Sequence, residues 1–192
     1  MAVDRERDAL IVVDLQPDFM PGGPLAVAEG DRIAGPIGRL ARHFSTVVAT
    51  QDWHPAGHVS FRERGGPWPP HCVAGSAGAQ VHPALPDELV TLKLRKGTNK
   101  DLDSYSAFYD DGGESTGLEG YLQDRGIRRV YVCGLARDYC VRATAMDAAR
   151  GGELEVLVID DLTRPVDAAS RARVDGELAQ AGVKLIDSRA LT

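Results

Sequence analysis

Cys140, Asp14 and Lys96 are the side chains in this sequence whose types could together make a thiol reactive. A thiol becomes a nucleophile near neutral pH when it meets a proton acceptor and a nearby positive charge. Asp14, in Val13-Asp14-Leu15-Gln16, offers the acceptor, and Lys96 offers the cation. Taken singly, each has a plainer explanation. An isolated cysteine is most often a small buried apolar residue, an aspartate after a strand is often a turn residue, and a lysine at a strand end is usually solvated. Cys133, inside the apolar run 130–133, fits the buried description. Cys72 abuts His71 in Pro69-Pro70-His71-Cys72, and for it both descriptions stay open.

A second constellation follows in the chain. Asp52-Trp53-His54 places a carboxylate and an imidazole two residues apart, hence on one face of an extended segment, and His58 and His71 could complete a set of ligands. One carboxylate oxygen and three imidazole nitrogens suit one divalent transition metal ion, zinc, iron or manganese, without choosing among them. The spacing matches no standard finger or zincin motif, so histidines of a solvated loop are the competing description.

The elements that must position these groups are legible from apolar periodicity. Short runs rich in Val, Ile and Leu at 9–13, 46–49, 90–94, 129–133, 155–159 and 183–186 predict buried strands. Segments near 30–43, 116–125, 140–150 and 168–181 have helical spacing. Such alternation predicts an α/β fold, a three-layer α/β/α sandwich around a mostly parallel sheet. Residues 51–89 break the pattern with six prolines, five glycines and four of the five histidines (His54, His58, His71, His82). Long ordered loops of this kind usually carry function. Open parallel sheets bind ligands outside the carboxyl ends of their strands. Asp14, Asp52, His54, Lys96 and Cys140 all fall just past a predicted strand, so they are expected at one edge.

Composition excludes several classes. The 192 residues fit one domain, 1–192, and the net charge of -6 disfavours nucleic acid as a partner. No apolar run approaches a membrane span. Residues 1–8 are charged and lack the apolar stretch of a secretory signal, and three cysteines form no disulfide framework, so a cytoplasmic setting is expected. The sequence has no G-x-G-x-x-G after a strand, no phosphate-binding G-x-x-x-x-G-K-[ST] and no G-x-S-x-G elbow.

Read together, Ile11-Val12-Val13-Asp14-Leu15-Gln16-Pro17-Asp18-Phe19, Thr50-Gln51-Asp52-Trp53-His54, Trp68-Pro69-Pro70-His71-Cys72, Lys96-Gly97 and Asp138-Tyr139-Cys140-Val141 resemble the nicotinamidase/pyrazinamidase branch of the isochorismatase-like cysteine hydrolases. The resemblance runs over nearly the whole chain. It implies Cys140 as nucleophile, Asp14 as general acid/base and Lys96 as the cation linking them. It implies Asp52, His54, His58 and His71 as metal ligands, and the backbone N–H groups of Ala136 and Cys140 as oxyanion hole. Phe19, Trp68 and Tyr105 become walls for a pyridine ring, and a non-proline cis peptide is implied between Leu135 and Ala136. The activity implied is hydrolysis of a small amide, nicotinamide or pyrazinamide, within pyridine nucleotide biosynthesis and NAD salvage, by an enzyme whose relatives are commonly homo-oligomers. Two features depart from the family pattern. Arg137 stands where relatives often carry a small or polar residue, and the segment around His58 is tighter than in some relatives, with His82 the nearest substitute ligand. Two other readings remain: a related amidohydrolase acting on a carbamoyl or ureido compound, and a noncatalytic metal- or ligand-binding α/β protein.

Overall fold

A computed structural model of the chain describes residues 2–191. Six strands form one sheet: β1 (Asp8–Val13), β2 (Thr46–Asp52), β3 (Leu92–Lys96), β4 (Arg129–Leu135), β5 (Glu155–Arg164) and β6 (Lys184–Ile186). Their order is β3-β2-β1-β4-β5-β6, and every neighbouring pair is parallel. The central strands are apolar on both faces because both are covered: all six residues of β1 are buried.

Four helices do the covering: α1 (Gly30–Ala41), α2 (Leu118–Asp124), α3 (Arg142–Arg150) and α4 (Arg171–Gln180). Ile33, Ala34, Ile37, Leu40 and Ala41 recur at helical spacing on α1 and pack with Leu10 and Val12 on one face of the sheet. Leu118 and Leu122 of α2, Ala145 of α3, and Val174 and Leu178 of α4 pack with Ala9, Ile11 and Val13 on the other. The expected three-layer sandwich is therefore the observed one, with a sheet that is parallel throughout.

Several boundaries differ from expectation; β2, β4 and β5 run on past 49, 133 and 159 to Asp52, Leu135 and Arg164. β3 starts at Leu92 rather than residue 90, because it is an edge strand whose Leu-Lys-Leu-Arg-Lys alternation leaves its first residues poorly marked. The segment expected as a helix from 168 opens with a 3-10 turn, Ala168–Ser170, before α4. Residues 51–89 have little regular structure, as expected, and are pinned by isolated bridges at His54–Val73 and Phe61–Trp68. No helix among the described residues is long and apolar enough to cross a membrane.

The strand order reverses direction between β1 and β4, which makes the crevice beyond their carboxyl ends the natural ligand site. Gly134 allows the two strands to close there. Its φ is +111°, and a Cβ at this position would run into the backbone of Val13. Gly134→Ala is accordingly expected to cost about 1–3 kcal/mol, read as a lower urea midpoint. An unchanged midpoint would contradict this close approach.

Candidate active site

Three neighbouring strands end in chemistry. β1 gives way at Asp14, whose φ of 45° turns the chain sharply off the sheet. Thr50 on β2 fixes that turn: its hydroxyl oxygen accepts from the Asp14 N–H (3.0 Å) and its O–H donates to Asp14 Oδ1 (2.6 Å). Asp52 and Lys96 are the last residues of β2 and β3 and sit in register with each other. Lys96 Nζ is thereby buried 2.9 Å from Asp14 Oδ2 and in direct contact with Asp52 Oδ1. It also donates to Ser104 O (3.2 Å) and to Cys140 Sγ (3.4 Å). Cys140 belongs to a single π-helical turn, Arg137–Val141, that joins β4 to α3. The sequence placed Cys140 at the start of the helix; the extra turn brings it instead just before α3, over the ends of β1 and β3.

One ammonium thus faces two carboxylates and a thiol. Burial pushes the Asp14 carboxyl upward, against the pull of Lys96. Burial acts on Asp52 in the same sense, but there the Lys96 ammonium and His54 outweigh it and hold the group well below the usual carboxylate range. Burial opposes the charge on Lys96, yet Asp14 and Asp52 hold its pKa well above the ordinary lysine value. For Cys140 burial dominates: it pushes the thiol up, Lys96 pulls against it, and the two carboxylates add to the rise. These shifts favour the thiol form of Cys140 and an ammonium at Lys96 paired with an ionised Asp52. Asp14 Oδ2, buried and without a hydrogen bond beyond its ion pair, is the atom placed to take a proton.

A second group adjoins the first through Asp52. Its Oδ2 faces His54 Nε2 at 3.6 Å and His71 Nε2 at 3.9 Å. One donor atom from each of these three buried residues lies within 4.8 Å of the other two. The remaining ring nitrogens are tied to carbonyls, His54 Nδ1 to Gly97 O (3.0 Å) and His71 Nδ1 to Pro69 O (2.8 Å), which aims both Nε2 atoms at one point. That is how metal-ligating imidazoles are oriented, and the donor set fits a divalent transition metal. Gly97 belongs to this arrangement, since a Cβ there would strike the His54 ring. Burial lowers the pKa of His71; on His54 it acts likewise, but Asp52 reverses the sign.

His58 is not brought into the group. Its Nδ1 is 2.8 Å from Ser60 Oγ and its Nε2 is 3.1 Å from Leu102 O, so both nitrogens are engaged while the ring stacks on His54. His82 lies apart, its Nδ1 accepting from the Ala84 N–H. Asp14, Asp52 and Cys140 also come close enough to suggest a metal group, but the Lys96 ammonium fills the space among them.

Beside Cys140, Asp52 and His71 opens a pocket. Phe19, Trp68 and Tyr105 line it, together with Ala136 and Cys140, while Asp52 and His71 also reach it. The Trp68 indole N–H donates to the Tyr105 hydroxyl (3.2 Å), which fixes both rings. The expected cis peptide is present between Leu135 and Ala136. Sequence reasoning missed Tyr139, which meets Trp68 edge to face at 5.0 Å, and the apolar Leu25, Val27 and Val166. It also missed Gln16, whose side-chain amide donates to Asp52 O and accepts from Asp52 N–H, both at 2.9 Å. Adjacency to Cys140 and Asp14 was the available signal for Tyr139 and Gln16; Val166 had none. A cleft between α2 and α3 is lined by neither cysteine nor histidine.

Comparison with known proteins agrees with this geometry. A family model described as the isochorismatase domain matches residues 8–190. A nicotinamidase of Acinetobacter baylyi is 45% identical over 199 aligned positions, covering 94% of this chain and 92% of the relative. A crystal structure of an L. infantum protein in complex with nicotinate superposes with a TM-score of 0.97 at 48% identity, covering 100% of this chain and 98% of that one. The pyrazinamidase of Pyrococcus horikoshii in complex with zinc superposes with a TM-score of 0.85 at 43% identity, covering 94% and 99%.

The Thr50 hydroxyl donates to the ionised form of Asp14 and so favours it. Thr50→Val removes that donor, which must raise the Asp14 pKa further. The acid limb of the pH dependence of Cys140 alkylation is therefore expected to move to higher pH. A limb that stays in place or moves down would contradict the assignment of Asp14 as the group accepting the thiol proton.

Proposed function

The chain belongs to the isochorismatase family, and from that premise we propose that it is a nicotinamidase, hydrolysing nicotinamide to nicotinate and ammonia through a thioester on Cys140. The observation that carries this reading is that Cys140, backed by the buried Lys96 and Asp14, lines an aromatic pocket that Asp52 and His71 also reach. A pocket walled by Phe19, Trp68, Tyr105 and Tyr139 suits a flat heteroaromatic ring with one carboxamide. The likeness to a nicotinamidase and to a nicotinate complex supports the same substrate, and pyrazinamide, a similar flat ring amide, is expected to be accepted.

Each step has a residue to perform it. Asp14 Oδ2 takes the thiol proton as Cys140 Sγ bonds to the carboxamide carbon, so the thiolate forms only as it is consumed. Lys96 stays charged throughout and offsets the negative charge passing between Sγ and Asp14. The tetrahedral oxyanion is met by the backbone N–H groups of Ala136 and Cys140, a contribution of about 3 kcal/mol per donor in comparable enzymes. Protonated Asp14 then gives its proton to the departing nitrogen, the C–N bond breaks, and ammonia leaves. Asp14 next deprotonates a water that attacks the thioester carbon, and the C–S bond breaks with the proton returned to sulfur.

Asp52, His54 and His71 would hold the metal, zinc, iron or manganese, and their geometry together with the zinc-bound relative supports this. When bound, the ion supplies a Lewis-acid docking point for the ring nitrogen, directly or through water. His58 joins only if it gives up its bonds to Ser60 and Leu102. The enzyme so constituted acts on a small molecule in the cytoplasm, in salvage of the pyridine ring for NAD. A ureido substrate would find few polar partners on these walls, which disfavours the related amidohydrolase reading.

Purified protein is expected to release ammonia from nicotinamide, to lose that activity on chelation and to regain it when zinc is added back. Release indifferent to chelation would contradict a functional metal at Asp52, His54 and His71. Release from a ureido compound but not from nicotinamide would favour the other amidohydrolase reading. Cys140→Ala is expected to cut turnover on the order of a thousandfold or more while the protein keeps its metal. Loss of both together would contradict the separation of nucleophile from ligands.

A further inference from the structure

Arg137 lies in the nucleophile turn, yet the proposed chemistry does not use its side chain. It has 0% relative exposure, is the largest fully buried side chain among the described residues, and does not line the substrate pocket. Burying a guanidinium is costly unless its donors are matched, and most of these are. Nη1 donates to Thr163 Oγ1 (3.0 Å) and lies 2.8 Å from Asp160 Oδ1, both on β5. Nη2 binds Asp175 Oδ1 on α4. Arg171 shares both carboxylates, reaching Asp160 Oδ2 at 2.7 Å and Asp175 Oδ2 at 3.6 Å, so that two cations and two anions close a neutral cluster.

The next residue grips the same part of the chain from another direction. Asp138 accepts from the Val166 N–H (2.8 Å), the Asp167 N–H (2.9 Å) and the Ser170 hydroxyl (3.2 Å). Two consecutive side chains therefore bind the turn to β5, to α4 and to the connection between them. The turn needs such support. A π-helical turn is uncommon and wide, and the Tyr139 and Val141 N–H groups both close onto a single carbonyl, Ala136 O, at 3.1 Å. The planar, forked guanidinium suits two carboxylates on separate elements in a way an ammonium does not. Thr163 pairs with Gly134 across the sheet, so one anchor is rooted at the strand pair that delivers the turn.

We infer that Arg137 is a positioning residue for amide hydrolysis, holding the turn so that the Ala136 and Cys140 backbone donors keep their placement relative to Cys140 Sγ. The inference rests on the function proposed above. It separates two properties that share the same cysteine. Alkylation of the thiol needs the Lys96–Asp14 environment but no oxyanion donors, whereas turnover needs both.

The test compares wild type, Arg137→Met and Arg137→Lys, following nicotinamide turnover by metal-loaded protein and, in parallel, the rate at which iodoacetamide labels Cys140, read by peptide mass spectrometry. Arg137→Met is expected to lose on the order of ten- to a hundredfold in kcat, with KM and the Cys140 labelling rate near those of wild type. Arg137→Lys is expected to recover part of the loss. A kcat unchanged in Arg137→Met, with only a lower unfolding midpoint, would overturn the inference by making Arg137 merely structural. A labelling rate that falls in parallel with kcat would overturn it too, by placing the effect on the thiol. Wild-type protein without nicotinamide turnover would overturn the substrate reading and the inference together.

Discussion

The Lys96 ammonium, sealed from solvent between Asp14, Asp52 and Cys140, is the interaction on which the rest of the site depends. Without it two carboxylates would share one dry space, which like charges do not tolerate unless one is neutralised. Burying an ion costs several kcal/mol even after relaxation, and the attraction repays that only in good geometry. The parallel sheet supplies the geometry. β1, β2 and β3 lie side by side and end at one edge, and the pairing of Asp52 with Lys96 sets the ion pair by strand register rather than by side-chain flexibility.

Asp52 carries this order outward. One of its oxygens is held by Lys96 and the other faces His54 and His71, so a single carboxylate joins the thiol chemistry to the metal-type group. Gln16, just beyond the end of β1, fixes the Asp52 backbone on both its N–H and its carbonyl side. A flat amide bound over both groups would have its ring and its carboxamide referred to one rigid residue. Specificity and reactivity are in this sense properties of the same hydrogen-bonded unit, and the aromatic walls add shape to it.

Much of this was legible in the chain, for physical reasons that also explain the failures. Strands buried on both faces read as continuous apolar runs, so β1, β2 and β4 stand out, while edge strand β3, with alternating Leu and charged residues, hid its start. The loop between β2 and β3 announced itself by concentrating histidines, but not which of them converge. His54 and His71 meet because the chain bridges at His54 and Val73, whereas Ser60 and Leu102 claim the nitrogens of His58. Nothing local marked Val166, which reaches the pocket because Asp138 holds its backbone. Arg137 was visible as an oddity, and its meaning depends on Asp160 and Asp175, far along the chain.

The account stands most directly on the nicotinamide turnover of Lys96→Met, measured on protein shown by circular dichroism to be folded and by metal analysis to be loaded. Met keeps much of the volume of the lysine stem and removes the charge, leaving Asp14 and Asp52 to face each other and Cys140 without its cation. Turnover is expected to fall on the order of a hundredfold or more. Activity within a few-fold of wild type would contradict the claim that this buried ammonium organises the site.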